Sequence, residues 1–139
     1  MAKVLVTGGA GYIGAHACKA LAQAGYTPVA FDNLSTGHRA AVKFGPLVEG
    51  DLLNRAAIDA VLAEHAPIAV MHFAALSQVG ESMQDPGRYW RENVVGGLNL
   101  IEATQAAGID KFIFSSTCAT YGDQDGVVLN EETEQHPIN

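Results

Sequence analysis

Three glycines and one aspartate carry the plainest chemistry in this sequence. Gly8, Gly11 and Gly14 fall within the run Gly8-Gly9-Ala10-Gly11-Tyr12-Ile13-Gly14, and Asp32 follows the next apolar run. A phosphate anion is best held by the unpaired N–H groups and positive dipole end of a helix, provided the backbone can come close. Glycines permit that approach: one for a tight turn, one to leave a gap for the phosphates, one to let helix pack on strand. Gly9, Gly11 and Gly14 also fit the commoner GxGxxG spacing. An acid at the end of the following strand can hydrogen-bond ribose hydroxyls, so glycines and Asp32 together describe a dinucleotide site. That carboxylate would repel a 2′-phosphate, which favours NAD over NADP, while Arg39 lies near enough in sequence to keep NADP open. A second group, Ser115, Ser116 and Thr117, offers hydroxyls that read either as turn formers or as reacting groups.

Residues of this kind work only if strands and helices bring them to one edge. Short β-rich runs alternate with helical patterns, the order expected for parallel strands joined by crossover helices. The first strand spans Lys3 to Thr7. Ile13, Ala17, Leu21 and Ala24 then recur at helical spacing before Gly25. Thr27 to Phe31 is a second strand, 34–45 a loop with a short helical piece, and Leu47-Val48-Glu49 a third strand. Asn54 is placed to cap a helix carrying Ile58, Val61 and Leu62, which must end near Pro67. Ile68 to Phe73 is the fourth strand and 76–87 a loop. Arg88 to Ala107 is a long helix closed by Gly108, with Val94, Leu98 and Ile101 on one face and Leu100, Ala103 and Ala107 on another. Lys111 to Ser115 is the fifth strand, and Thr117 to Asn139 shows no regular element. The expected fold class is α/β, a Rossmann-type doubly wound parallel sheet. Its hydroxyls past strand five stand at the carboxyl edge, where such sheets place ligands.

Composition narrows the partners. With 139 residues, 48% of them apolar, the chain can bury a core and form one domain. A net charge of −7 with eight Lys and Arg residues supplies no basic stripe for nucleic acid or anionic membrane. Cys18 and Cys118 form no CxxC pair, so neither metal nor disulfide is expected. No stretch approaches the ~18 apolar residues of a membrane helix, and a cytoplasmic location is the simplest expectation.

Several further motifs, in order, resemble the extended short-chain dehydrogenase/reductase family. They are Val4-Leu5-Val6-Thr7 before the glycines, Asp32-Asn33-Leu34-Ser35, His72-Phe73-Ala74-Ala75, Val79-Gly80-Glu81-Ser82 with Pro86 and Tyr89, Asn93, and Ser115-Ser116-Thr117. Within that family the chain most resembles the 4-epimerases of UDP-hexoses. The resemblance implies that Tyr12 and Ile13 lie at the pyrophosphate, that Asp32, Asn33, Ser35, Thr36 and Gly37 surround the adenosine ribose, and that Asp51 and Leu52 border the adenine. Phe73, Ala74, Ala75 and Ser77 would line the cofactor from strand four, with Ser115 nearby and Asn93 supporting from the long helix. Thr117 would be the hydroxyl that helps a tyrosine remove the sugar 4-OH proton while NAD accepts hydride from C4, interconverting UDP-glucose and UDP-galactose.

Ser77 stands where related bacterial enzymes often carry lysine, which removes one charged contact to the cofactor. The family's YxxxK pair and substrate domain are expected beyond Asn139, for Tyr12, Tyr26, Tyr89 and Tyr121 are not followed by Lys four positions later. These residues alone are therefore expected to be inactive, because a general base of matched pKa is missing. The resemblance also implies a homodimer built on paired helices, one of them Arg88 to Ala107. Two alternatives remain at this level: another nucleotide-sugar dehydratase or decarboxylase of the family, and a noncatalytic NAD-binding module.

Overall fold

Apolar runs rich in valine, leucine and phenylalanine, too short for helices, become the strands. The computed structural model describes residues 1–126 and 128–138; Val127 and Asn139, both within the tail expected to lack regular structure, lie outside the described residues. The strands are β1 (Lys3–Thr7), β2 (Thr27–Asp32), β3 (Leu47–Glu49), β4 (Ala69–His72) and β5 (Phe112–Phe114). All pair in parallel, in the spatial order β3-β2-β1-β4-β5. The chain therefore leaves β1 toward β2 on one side and returns to place β4 on the other. That reversal opens a crevice at the carboxyl ends of β1 and β4.

The intervening helices are α1 (Tyr12–Gln23), α2 (Arg55–His65), α3 (Val79–Gln84), α4 (Pro86–Tyr89) and α5 (Gly96–Ala106). Successive strand side chains point to opposite faces, so Leu5, Val29, Phe31 and Val70 enter one core and Val4, Val6 and Ala30 the other. The larger core is completed by Ile58, Val61 and Leu62 of α2 and by Leu100 and Ala103 of α5. On the opposite face α1 contributes Cys18 and Leu21. Burial pushes the Cys18 thiol up to about 11, so it packs as a small apolar group. Asn54 caps α2 by accepting from the Ala57 amide, and the helix ends one residue before Ala66, as Pro67 requires.

The structure departs from the sequence expectations in five places. Val79–Gln84, expected as loop, is α3, despite Gly80. The next helix starts at Pro86 rather than Arg88: Asp85 accepts from the Arg88 amide and proline occupies the first helical turn, where its missing N–H costs nothing. Between α4 and α5, residues Trp90–Val95 form a π-helical stretch, which shifts the helical period midway. Ala107, expected on a packing face, is exposed beyond the end of α5, and Cys118–Tyr121 form a 3₁₀ turn where no element was expected.

A buried pair ties β1 to β4. The Thr7 hydroxyl lies 2.7 Å from His72 Nδ1, and burial lowers the pKa of that imidazole. The Phe112 and Phe114 rings flank it.

Two predictions follow from this packing. Leu100 is fully buried whereas Ile101 is half-exposed, so Leu100→Ala should cost about 2–5 kcal/mol in urea unfolding and Ile101→Ala should stay within ~0.5 kcal/mol. Burial lowers the His72 pKa in the folded protein, while the unfolded chain binds a proton near the ordinary 6.5. Its contribution to stability is thus complete above that value and declines as the pH falls below it. The urea midpoint should drop between about pH 7 and about pH 5.5, and the slope should be shallower in His72→Gln.

Candidate functional site

The glycine turn is built by steric exclusion. Gly8 has φ +70, and a Cβ on it would stand 2.7 Å from the Ala74 amide nitrogen. A Cβ on Gly14 would meet the Gly8 carbonyl at 2.1 Å, and one on Gly9 would meet the Ala30 Cβ at 2.5 Å. These three positions let α1, β2 and the segment after β4 close on the turn. Gly11 differs: a Cβ there would meet just the Gly8 carbonyl oxygen, at 3.2 Å. It is the N-cap of α1 and offers no side-chain cap, and the first turn carries no acid. The Tyr12 and Ile13 amides find no backbone acceptor among the described residues. The mouth of α1 is therefore a set of free donors at a positive dipole end, suited to a diphosphate. Tyr12 and Ile13 themselves are 79% and 58% exposed.

Asp32 closes the turn from the other side. Its Oδ2 accepts from the Ala10 amide at 2.9 Å and its Oδ1 from the Leu34 amide at 2.8 Å, with the residue 8% exposed. Each carboxylate oxygen has a further lone pair for a ligand hydroxyl. Gly37 packs over this arrangement; a Cβ on it would stand 2.9 Å from both Asp32 Oδ1 and the Ala10 Cβ. Beside it Asn33 donates to Asp51 at 3.0 Å, and Asp51 accepts from the Leu53 amide. Arg39 is ion-paired with Glu49.

From these elements one crevice forms, and the sequence-predicted residues divide around it. Gly8, Gly11, Asp32, Asn33, Ser35, Thr36, Gly37, Asp51, Leu52, Phe73, Ala74, Ala75 and Asn93 line it. A second, adjoining crevice shares Phe73, Ala74, Ala75 and Asn93 and adds Ile13, Ser77, Ser115 and Thr117. Tyr12 and Gly14 line neither: Tyr12 stands outside with its ring near His16, and Gly14 packs against Gly8. Sequence reasoning missed Glu92 and Leu76 in the first crevice and Ser82 and Tyr89 in the second. For Tyr89 the signal was its place in the Val79-to-Tyr89 motif; Glu92 gave none.

Hydrogen bonds fix the floor between the crevices. Asn93, inside the π-helical stretch, accepts from the Leu76 amide at 2.8 Å and donates to the Leu76 carbonyl at 2.9 Å. It holds the segment after β4 as a paired strand would. The Gln78 amide donates to the Tyr89 hydroxyl, which itself donates to Glu81 at 2.7 Å; Arg88 pairs with the same carboxylate at 2.6 Å. Lost solvation and the Glu81 carboxylate both raise the Tyr89 pKa, so the phenol stays protonated. Thr117 caps the Cys118–Tyr121 turn by accepting from the Ala119 amide at 3.1 Å, leaving its O–H free to donate. The Ser115 amide donates to the His72 carbonyl, setting this hydroxyl segment beside β4. Among the described residues no cluster of His, Cys, Asp and Glu could hold a metal ion, and no helix is long and apolar enough to cross a membrane.

Known proteins share this arrangement. A UDP-glucose 4-epimerase of Rhizobium leguminosarum bv. trifolii is 58% identical over 136 residues, which cover 98% of this chain and 42% of that protein. UDP-arabinose 4-epimerase 1 of Arabidopsis thaliana is 44% identical over 98% of this chain and 35% of its own length. The crystal structure of UDP-glucose 4-epimerase from Brucella ovis in complex with NAD superposes with a TM-score of 0.95 at 49% identity, covering 100% of this chain and 43% of that one. The chain thus spans about two-fifths of the length of the Rhizobium and Brucella enzymes. Since the match to the family described as NAD dependent epimerase/dehydratase runs over residues 4–139, from β1 through both crevices, the chain belongs to that family.

Proposed function

We propose that residues 1–139 are the NAD-binding portion of a UDP-glucose 4-epimerase, a domain whose chemistry is finished by residues not in this sequence. The observation that carries the reading is the continuity of the two crevices through Phe73, Ala74 and Ala75. A dinucleotide long enough to reach from Asp32 past Gly11 would bring its far end to the hydroxyls after β5. The cofactor, when bound, supplies a hydride acceptor and donor for C4 of the sugar. Asp32 receives the ribose hydroxyls, the Tyr12 and Ile13 amides receive the diphosphate, and Asp51 with Leu52 borders the base. Ser77 and Ser115 flank the reacting end. Thr117, with its proton free to donate, hydrogen-bonds the sugar 4-OH or the tyrosine that deprotonates it.

The proton acceptor itself is not among these residues, since none of the four tyrosines is followed four positions on by lysine. Without that lysine nothing lowers a phenol toward neutrality. UDP-sugar affinity and the choice among sugars also belong to the remainder of the enzyme. The relatives support that division: proteins named for glucose and for arabinose both share this part, at 58% and 44% identity. In the whole enzyme, Val94, Leu98 and Ile101, all about half-exposed here, supply a homodimer face. Two free thiols, Cys18 and Cys118, suit a cytoplasmic setting.

Calorimetric titration of the chain with NAD should give saturable one-site binding. Asp32→Asn replaces an acceptor by an N–H that faces the Ala10 or Leu34 amide, and it should weaken NAD about 10- to 100-fold while circular dichroism shows the fold retained. Absence of NAD binding by the unsubstituted chain would sink the proposal. Incubated with NAD and UDP-galactose, these 139 residues should form no UDP-glucose; sustained turnover would show that the proton acceptor lies within them.

A further inference from the structure

The ion pair between Arg39 and Glu49 lies beside the ribose end of the crevice, and neither residue lines it. We infer that Glu49 determines cofactor specificity by holding the Arg39 guanidinium away from the position a 2′-phosphate would occupy. The inference rests on the reading of Asp32 as the ribose ligand.

Asp32 and Glu49 are register partners at the carboxyl ends of β2 and β3. In-register residues of parallel strands project to the same face, so two carboxylates stand side by side at this corner of the sheet. Asp32 has each oxygen engaged by one backbone amide, and a 2′-phosphate placed against it would meet uncompensated negative charge. Such a phosphate is accepted in dinucleotide folds when an arginine is at hand to neutralise it. This chain carries one. Arg39 follows Gly37, which packs on Asp32, and the His38 amide between them donates to the Ala10 carbonyl, pinning the segment to the glycine turn. The guanidinium is thus within the same loop that surrounds the ribose, yet it is turned to Glu49.

Glu49 occupies the fork of Arg39, whose planar donors would otherwise suit a phosphate. Both side chains are more than half exposed, at 65% and 56%. Exposed pairs are weak and screened by salt, so the discrimination contributed here is modest and adds to that of Asp32.

The test compares NAD and NADP by calorimetry on the full 139-residue chain and three variants. Glu49→Gln should improve NADP relative to NAD by roughly two- to fivefold, and the gain should shrink as ionic strength rises. In Glu49→Gln/Arg39→Ala the gain should disappear. Arg39→Ala alone should leave the ratio near that of the unsubstituted chain, because its guanidinium is already withdrawn. An unchanged ratio in Glu49→Gln, or an equal gain in the double variant, overturns the role assigned to Arg39 and Glu49 and leaves the NAD assignment standing. Failure of the unsubstituted chain to bind NAD at all overturns the ribose reading and this one with it.

Discussion

One buried carboxylate holds the site in shape. Asp32 joins the Ala10 amide, in the glycine turn after β1, to the Leu34 amide, in the loop after β2. Two loops from separate strands are thereby locked through a single charged group, and charge-assisted bonds to backbone amides are among the stronger ones a protein makes. The turn could not be held this way if it carried side chains. Gly37 must lie against Asp32 and Ala10, and Gly14 against the Gly8 carbonyl, each closer than a Cβ permits. The carboxylate and the glycines are one device: the glycines let the loops approach, and the carboxylate keeps them there.

This device is why the first half of the chain was readable in advance. Glycine spacing, an acid after the second apolar run and short β-rich runs between helical patterns all report backbone constraints that act locally, so they leave marks in local sequence. Asn54 and Pro67 bracketed α2 for the same reason. The region from 76 to 95 was less legible because its order comes from distant partners. α3 is a six-residue helix containing a glycine, held by the Glu81, Arg88 and Tyr89 cluster and by the Gln78 amide rather than by propensity. The Asp85-Pro86 pair was a legible helix start that the serine- and glycine-rich context obscured.

The segment expected as one long helix is wound differently at its start. Within the regular α5, Leu100, Ala103 and Thr104 reach the core while Leu98 and Ile101, with Val94 before them, face outward, the division that helical spacing implies; the π-helical stretch Trp90–Val95 precedes it. The same irregularity sets Asn93 opposite Leu76, where its amide serves both backbone groups of that residue. Periodicity gave no sign of this change of winding, which serves a local task at Asn93, where consistency between levels is expected to fail.

The second crevice is also where the hydrophobic layering thins. Phe114, on the edge strand β5, is 63% exposed and lines the crevice that holds Thr117. Its neighbour Ile113 is 53% exposed, and the outer edge of β5 pairs with no other strand among the described residues. An open parallel edge with apolar side chains is a poor final surface, since parallel sheets are stable when covered. Whatever covers Phe114 must also wall the space in front of Thr117, because both border the same cavity. Burial of the β5 edge and enclosure of the Thr117 hydroxyl are therefore a single event. Low dielectric around Thr117, which strengthens any hydrogen bond its hydroxyl makes, arrives with the same contacts that stabilise the strand.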